Sequence, residues 1–275
     1  MNETTASSAA FLDAYAPQQI AVRVRDVGVA KATAPVLTTV ALAVLAGAFI
    51  SLGALFYTVT VSGAGPDAPF GLMRLAGGVA FSLGLILVVV GGAELFTGNN
   101  LIAMAWAAGR LRTGDVLRNW AWVYAGNLLG ALGTVALVLL AGVHELGDGA
   151  LGETAIRIAR TKAGLDPMQA LMRGVLCNVL VCLAIWLCMG ARSVTDKILA
   201  IVFPISAFVA CGFEHSIANM YFLPVGIALA SSSVAPIAWT GAIGNLIYVT
   251  IGNVLGGTVL VAMVYWFIYL RGNRQ

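Results

Sequence analysis

The stretch "CGFEHSIANM", Cys211 to Met220, sets Glu214 beside His215, one of only two histidines in the chain. Both lie within the apolar run Ile198 to Ala235, whose only other ionisable side chains are Cys211 and Tyr221. A second stretch, "GAELFTGN" from Gly92 to Asn99, offers Glu94 and Thr97 in a similar setting. Ionisable groups at membrane depth are costly, and function is their default reading. A bare anion moved into a medium of low dielectric costs on the order of tens of kcal/mol, whereas its neutral conjugate acid costs only a few. A histidine, titrating near neutral pH, could lend a proton to a small weak-acid anion between two apolar constrictions and recover one after passage. The candidate constrictions are Leu95 and Phe96 on the cytoplasmic side and Phe81, Leu85 and Phe208 on the other. The structural alternative is a core histidine bonded to a neighbour such as Asn178 or Thr97. Glu94 and Glu214 fit a supporting role, accepting bonds from exposed backbone N–H groups, with Asn99 and Asn219 bridging loop to helix.

The elements that hold these residues must cross a membrane. The chain has 275 residues, 60% hydrophobic and only 10% charged, far from a soluble composition. Runs without Asp, Glu, Lys, Arg or His extend over Ala32–Gly65, Leu75–Ala93, Asn119–Val143, Gly174–Ala191, Ile198–Phe213 and Ser216–Leu270. A crossing needs about 20 apolar residues, and the last run holds a half-span, a turn at "SSSVAP" and a full span, so about six crossings are expected. The motif pair "GAELFTGN" and "GFEHSIAN", Gly212 to Asn219, is followed in each half by a second pair. These are "GNLLG", Gly126 to Gly130, and "GNVLG", Gly252 to Gly256. Two pairs in the same order at similar offsets indicate a duplicated unit of three spans, and an odd number of spans inverts the second copy.

The predicted fold is therefore an all-α membrane protein of six transmembrane helices in two inverted repeats, about 32–143 and 168–270. Each Glu motif interrupts its span, so helices 2 and 5 are expected to be broken where protein or an aqueous cavity satisfies the freed backbone. Residues 1–31 form a cytoplasmic tail in which Pro17 to Ala32 has helical spacing of Ile20, Val24 and Val27, an amphipathic helix on the membrane surface. Residues 32–270 form the channel body and 271–275 a cytoplasmic end.

Basic residues set the orientation: Arg23, Arg25, Lys31, Arg110, Arg112, Arg118, Arg192, Lys197, Arg271 and Arg274 share a side. The positive-inside rule puts that side, and both termini, in the cytoplasm of a cell whose inner membrane the chain spans. Met1 to Gln19 shows no removable signal pattern. Arg157, Arg160 and Lys162, in an outer loop, would concentrate anions at the mouth, diluted by Glu153 and Asp166. The dispersed basic residues form no nucleic-acid patch. Cys177, Cys182, Cys188 and Cys211 read as buried thiols, with no disulfide, metal or cofactor implied.

Rival chemistries lack residues. A water or glycerol pore wants paired Asn-Pro-Ala motifs, and neither "FTGN" nor "SIAN" has the proline. Bis-histidine haem ligation needs a second intramembrane histidine, and His144 lies in the polar "GVHELGDG". A hydrolase on Glu214 and His215 lacks an opposed nucleophile, since Ser216 is adjacent in the chain, so no enzyme is expected.

The long motifs "LILVVVGGAELFTGN", "NWAWVYAGNLLGAL", "CNVLVCLAIW", "ARSVTDKILAIVFPISAFVACGFEHSIANM" and "VTIGNVLGGTVLVAMVYWFIYLR" resemble the formate/nitrite transporters from about Phe70 onward. The resemblance implies a homopentameric anion channel with an aquaporin-like protomer. It implies His215 as the central histidine, Thr97 as the threonine of a facing Ω-shaped loop, and Asn178 and Asn253 as pore-lining asparagines. Lys162 resembles the vestibule lysine and Glu214 the glutamate bracing the loop. Phe81, Leu85, Leu95, Phe96, Val181 and Phe208 match the constriction positions. "ARSVTDK" and "YWFIYLR" are more similar to formate members, whereas "FTGNN" and the short turn from Ala230 to Gly241 are not; formate is the expected substrate, with nitrite or hydrosulfide the alternative. Protons and lipid are the remaining partners.

Overall fold

The computed structural model describes residues 13–65, 67–230 and 236–272, so the core of the expected "SSSVAP" turn lies outside the described residues. The described residues fold into helices joined by short turns. Helix α1 (Pro17–Thr33) is followed by α2 (Val36–Val61) and α3 (Phe70–Gly91). A 3-10 segment (Gly98–Ile102) leads into the short α4 (Ala103–Ala107), then α5 (Thr113–Leu140). Next come α6 (Ala150–Ala163), α7 (Pro167–Gly190), α8 (Val194–Ala210) and α9 (Ser216–Ala230). Helix α10 (Trp239–Val254) continues through a π-helical stretch (Leu255–Met263) into α11 (Val264–Tyr269).

Among the described residues, five helices are long and apolar enough to cross a membrane: α2, α3, α5, α7 and the continuous Trp239–Tyr269. The region between α7 and α10 is two shorter pieces, α8 and α9, separated at 211–215. Helix α3 is 22 residues long. Helical backbone is interrupted after α3 at 92–97 and after α8 at 211–215, and both interruptions start the same way. Gly92 (φ 80°) and Gly212 (φ 72°) adopt the left-handed conformation, which spares glycine a Cβ clash. The next N–H in each case reaches back to close the helix, Ala93 to the Val88 carbonyl and Phe213 to the Phe208 carbonyl. Arg74 of α3 also donates to the Val209 and Ala210 carbonyls at 3.0 and 2.9 Å, capping the C-terminus of α8.

The "GNLLG" and "GNVLG" glycines are contact points between long helices. Gly126 and Gly130 bring α5 against Ala43 and the Val44 carbonyl of α2, with no room for a Cβ. Gly252 of α10 and Gly256 of the π-helical stretch do the same against the Leu171 and Val175 carbonyls of α7. Small residues at helix contacts are how membrane helices gain packing without a hydrophobic drive between them.

Two expectations need correction. Arg157, Arg160 and Lys162 lie not on a loop but on α6, whose Leu151, Ala155 and Ala159 repeat every fourth residue and are buried. Cys211 is exposed at the end of α8, whereas Cys177, Cys182 and Cys188 are buried. The predicted N-terminal helix is present as α1, and it is packed on the body: Ile20, Ala21, Val24 and Ala32 are buried. Tyr15 just before it has the guanidinium groups of Arg23 and Arg192 over its ring, 4.1 and 3.7 Å from the ring centre.

Candidate functional site

The interruption before α9 delivers His215 to the protein centre, 3% exposed. Its Nε2 lies 2.9 Å from the Thr97 hydroxyl, which comes from the other interruption. The Ala218 backbone N–H, in the first turn of α9, donates to His215 Nδ1 at 3.1 Å. An N–H donor makes Nδ1 an acceptor, so this arrangement holds a neutral imidazole whose Nε2–H donates to Thr97. Phe208 lies nearly parallel to the imidazole, ring centres 6.0 Å apart. Phe208 also meets Phe81 edge-on at 5.5 Å.

Each interruption is braced by a bonded circuit, and the two circuits share four bonds; the first adds Lys31 Nζ to Asn99 Oδ1 at 3.0 Å, the second adds Asn245 Nδ2 to Glu214 Oε2 at 3.4 Å, and Asn219 Oδ1 has no partner among the described residues. In the first, Lys31 Nζ pairs with Glu94 Oε1 at 3.0 Å. Asn99 Nδ2 donates to Glu94 Oε2 at 2.6 Å and to Asn119 Oδ1 at 3.0 Å. Asn119 Nδ2 closes the ring on the Lys31 carbonyl at 3.1 Å. In the second, Lys162 Nζ pairs with Glu214 Oε1 at 2.8 Å. Asn219 Nδ2 donates to Glu214 Oε2 and to Asn245 Oδ1, both at 2.7 Å. Asn245 Nδ2 then donates to the Lys162 carbonyl at 2.9 Å. The carboxylates therefore bind lysine and asparagine side chains rather than the backbone N–H groups expected of them.

A second pair of staples matches as well. Asn127 donates to the Ala43 and Glu94 carbonyls and accepts from the Phe96 N–H. Asn253 donates to the Gly174 and Glu214 carbonyls and accepts from the Ser216 N–H. Asn253 is thus engaged with backbone, and it lines neither cavity described below. Asn178 Nδ2 lies within hydrogen-bond reach of the Thr97 carbonyl, Asn100 Oδ1 and the Asn253 carbonyl, while its buried Oδ1 has no partner among the described residues.

Two cavities approach this centre. The larger, about 560 Å³, is lined by Lys162, Glu214, His215, Phe81 and Phe208, with Arg74, Arg157 and Arg173 among its cations. The smaller, about 200 Å³, is lined by Lys31, Glu94, Leu95, Asn99 and Val24 of α1. No described residue lines both. Of the six constriction candidates, Phe81 and Phe208 line the first cavity and Leu95 the second. Leu85 and Val181 are buried in the core between helices, and Phe96 packs edge-on against Trp120 and Tyr124.

Sequence reasoning overlooked Lys31, Asn119, Asn127, Asn245 and Asn100 as site residues. The repeat carries a signal for one of them: "GNLLG" and "GNVLG" hold Asn127 and Asn253 at the same place, so a role for Asn253 implies one for Asn127.

This geometry has known relatives. The chain is 43% identical over 278 residues to the formate channel FocA of Escherichia coli strain K12, covering 95% of this chain and 96% of that one. It is 40% identical to a probable formate transporter of Methanothermobacter thermautotrophicus, covering 88% and 92%. A solved pentameric formate channel with formate bound is similar with a TM-score of 0.79 at 41% identity, covering 86% of this chain and 98% of that one. The family description "Formate/nitrite transporter" matches residues 18–267, and the chain belongs to that family.

Proposed function

We propose that the chain is a channel for small monovalent anions of weak acids, with formate as its substrate. The observation that carries this reading is the buried imidazole in the wall of a cation-lined cavity, beside the Phe81–Phe208 contact, in a chain whose relatives include formate channels. The cations raise the local anion concentration, and the apolar floor admits an anion only if its charge is compensated. His215 compensates it by lending a proton, with Thr97 holding the ring between passages. Proton lending sets a structural condition. The imidazolium needs a hydrogen on Nδ1, so the ring must first release the Ala218 N–H.

That same bond favours a second reading, in which His215 stays neutral and its Nε2–H turns from Thr97 to the passing anion. Asn178, with a free Oδ1, and Asn253 beside it would order the chain of polar contacts near the loop. Leu95, Phe96, Leu85 and Val181 complete the dry constrictions around the aromatic pair.

The architecture supporting this function is six crossings in two inverted repeats, with crossings 2 and 5 broken at the glutamate motifs. The matched circuits support that reading and extend the repeated unit: Lys31 on α1 and Lys162 on α6 correspond, so each copy begins with its amphipathic helix. Five such protomers form the assembly, as in the similar pentameric channel. The positive-inside rule puts both termini in the cytoplasm, the Lys31 cavity facing inward and the Lys162 cavity facing outward from the inner membrane.

The test is flux into proteoliposomes of the purified protein, comparing formate, nitrite, hydrosulfide and glycerol while a trapped dye reports internal pH. Passage of small anions without glycerol is expected, with formate first. Glycerol passage without the anions would refute the reading. In His215→Asn, loss of proton-coupled formate uptake with the fold intact supports proton lending, and unchanged coupling rules it out.

A further inference from the structure

The Lys162-side cavity is far larger than a one-carbon anion requires. At about 560 Å³ it falls in the range of sites for small organic molecules, about 300–1,000 Å³. Its cations divide into two classes. Lys162 is committed to Glu214 at 2.8 Å, and Arg74 to the carbonyls that end α8. The Arg157 guanidinium donates only to the Thr154 hydroxyl at 3.2 Å among the described residues, and the Arg173 guanidinium has no hydrogen-bond or ion-pair partner among them, its backbone carbonyl alone accepting from the Glu214 N–H. Glu214 is the acidic side chain among the described lining residues, and its carboxylate is taken by Lys162, Asn219 and Asn245. Two guanidinium groups therefore line this cavity without a carboxylate of their own.

The walls below them are apolar. Tyr57, Met73, Ile158, Phe213 and Phe222 line the same space, and the floor narrows to the Phe81–Phe208 contact. Formate would use the cations and leave these walls bare. A carboxylate carried on an aromatic body would use both, since burying an aromatic ring is a large apolar gain and guanidinium groups bind carboxylates with two parallel bonds. An aromatic ring is far bulkier than formate, and the Phe81 and Phe208 rings that line the same cavity already touch edge-on, 5.5 Å between centres.

We propose that the Lys162-side cavity is a binding site for aromatic monocarboxylates, held by Arg157 and Arg173, and that an occupant blocks the path to His215. The blocking part rests on the channel function proposed above; the binding part does not.

The experiment uses the full chain in detergent and isothermal titration with phenylacetate, its neutral analogue phenylacetamide, and acetate. Phenylacetate should bind at least about tenfold more tightly than either control, the first lacking the charge and the second the ring. The Arg157→Gln/Arg173→Gln variant should lose at least about tenfold in phenylacetate affinity, with Arg157→Lys/Arg173→Lys intermediate because charge remains and the planar fork does not. Melting curves of the unliganded variants check their folding, and Lys162-side phenylacetate should slow formate uptake by the parent protein. Equal binding of phenylacetate and phenylacetamide, or phenylacetate affinity unchanged in the folded glutamine variant, overturns the site. Arginine-dependent binding without slowed uptake removes the blocking role, and the same binding in a protein that passes no formate keeps the site while refuting the proposed function.

Discussion

At the scale of single residues, the two lysine–glutamate pairs form corresponding ion pairs and differ in access to water. Glu214 and Lys162 side chains are 5% and 15% exposed, against 12% and 29% for Glu94 and Lys31. Removing one partner of a buried pair strands the other charge, at a cost of about 3 kcal/mol, whereas partly solvated pairs contribute about 1 kcal/mol. Lys162→Met should therefore lower the melting temperature of the solubilised protein clearly more than Lys31→Met. The double variant Lys162→Met/Glu214→Gln should recover part of the loss, because no charge is left buried. Equal shifts for the two lysine variants would contradict this account. Glu214 and His215 stood out in the sequence because an ionisable group in an apolar run is conspicuous by itself. Asn119 and Asn245 did not, because an uncharged amide in a membrane helix leaves no such mark.

At the scale of elements, glycines on one helix differ in what surrounds them. In α5, a Cβ on Gly130 would strike the Val44 carbonyl of α2, whereas one on Gly133 meets nothing within 4 Å. Gly130→Ala should destabilise by about 1–3 kcal/mol through forced separation of the helices, and Gly133→Ala should be near neutral. Thermal melts of the two variants side by side test this, and a Gly130→Ala protein as stable as the parent would refute the close contact. The α8 terminus offers a second test. Arg74→Met removes the donors to the Val209 and Ala210 carbonyls and should cost about 1–2 kcal/mol. Faster backbone hydrogen exchange should appear at the end of α8 ahead of the rest of the chain; unchanged exchange there would show that the cap is dispensable.

At the scale of the whole molecule, polarity is inverted relative to a soluble domain. Leu37, Leu140 and Phe203 are among the most exposed side chains, while Thr97, Asn100, Asn127, Asn178 and Asn253 are buried. Lipid is a suitable solvent for that exterior, and a buried polar interior is held only if its groups find partners. The proposed assembly covers part of the apolar exterior with identical neighbours. Sedimentation of the detergent-solubilised protein should give the mass of five chains, and a monomer at every concentration would count against the pentamer.

The sequence by itself determined that the chain is a membrane protein of apolar helices, that its glutamate motifs and glycine–asparagine motifs recur in pairs, and which family it belongs to. These properties are local: hydropathy and motif spacing are read along a few dozen residues. Only the tertiary structure decided the partners. Thr97 meets His215 across a separation of 118 positions, and Lys162 meets Glu214 across 52. It also turned the expected outer loop into α6 and engaged Asn253 with backbone. Partner choice in a buried network depends on which helices pack together and how closely, and that follows from small-residue contacts between distant segments rather than from the composition of any one of them.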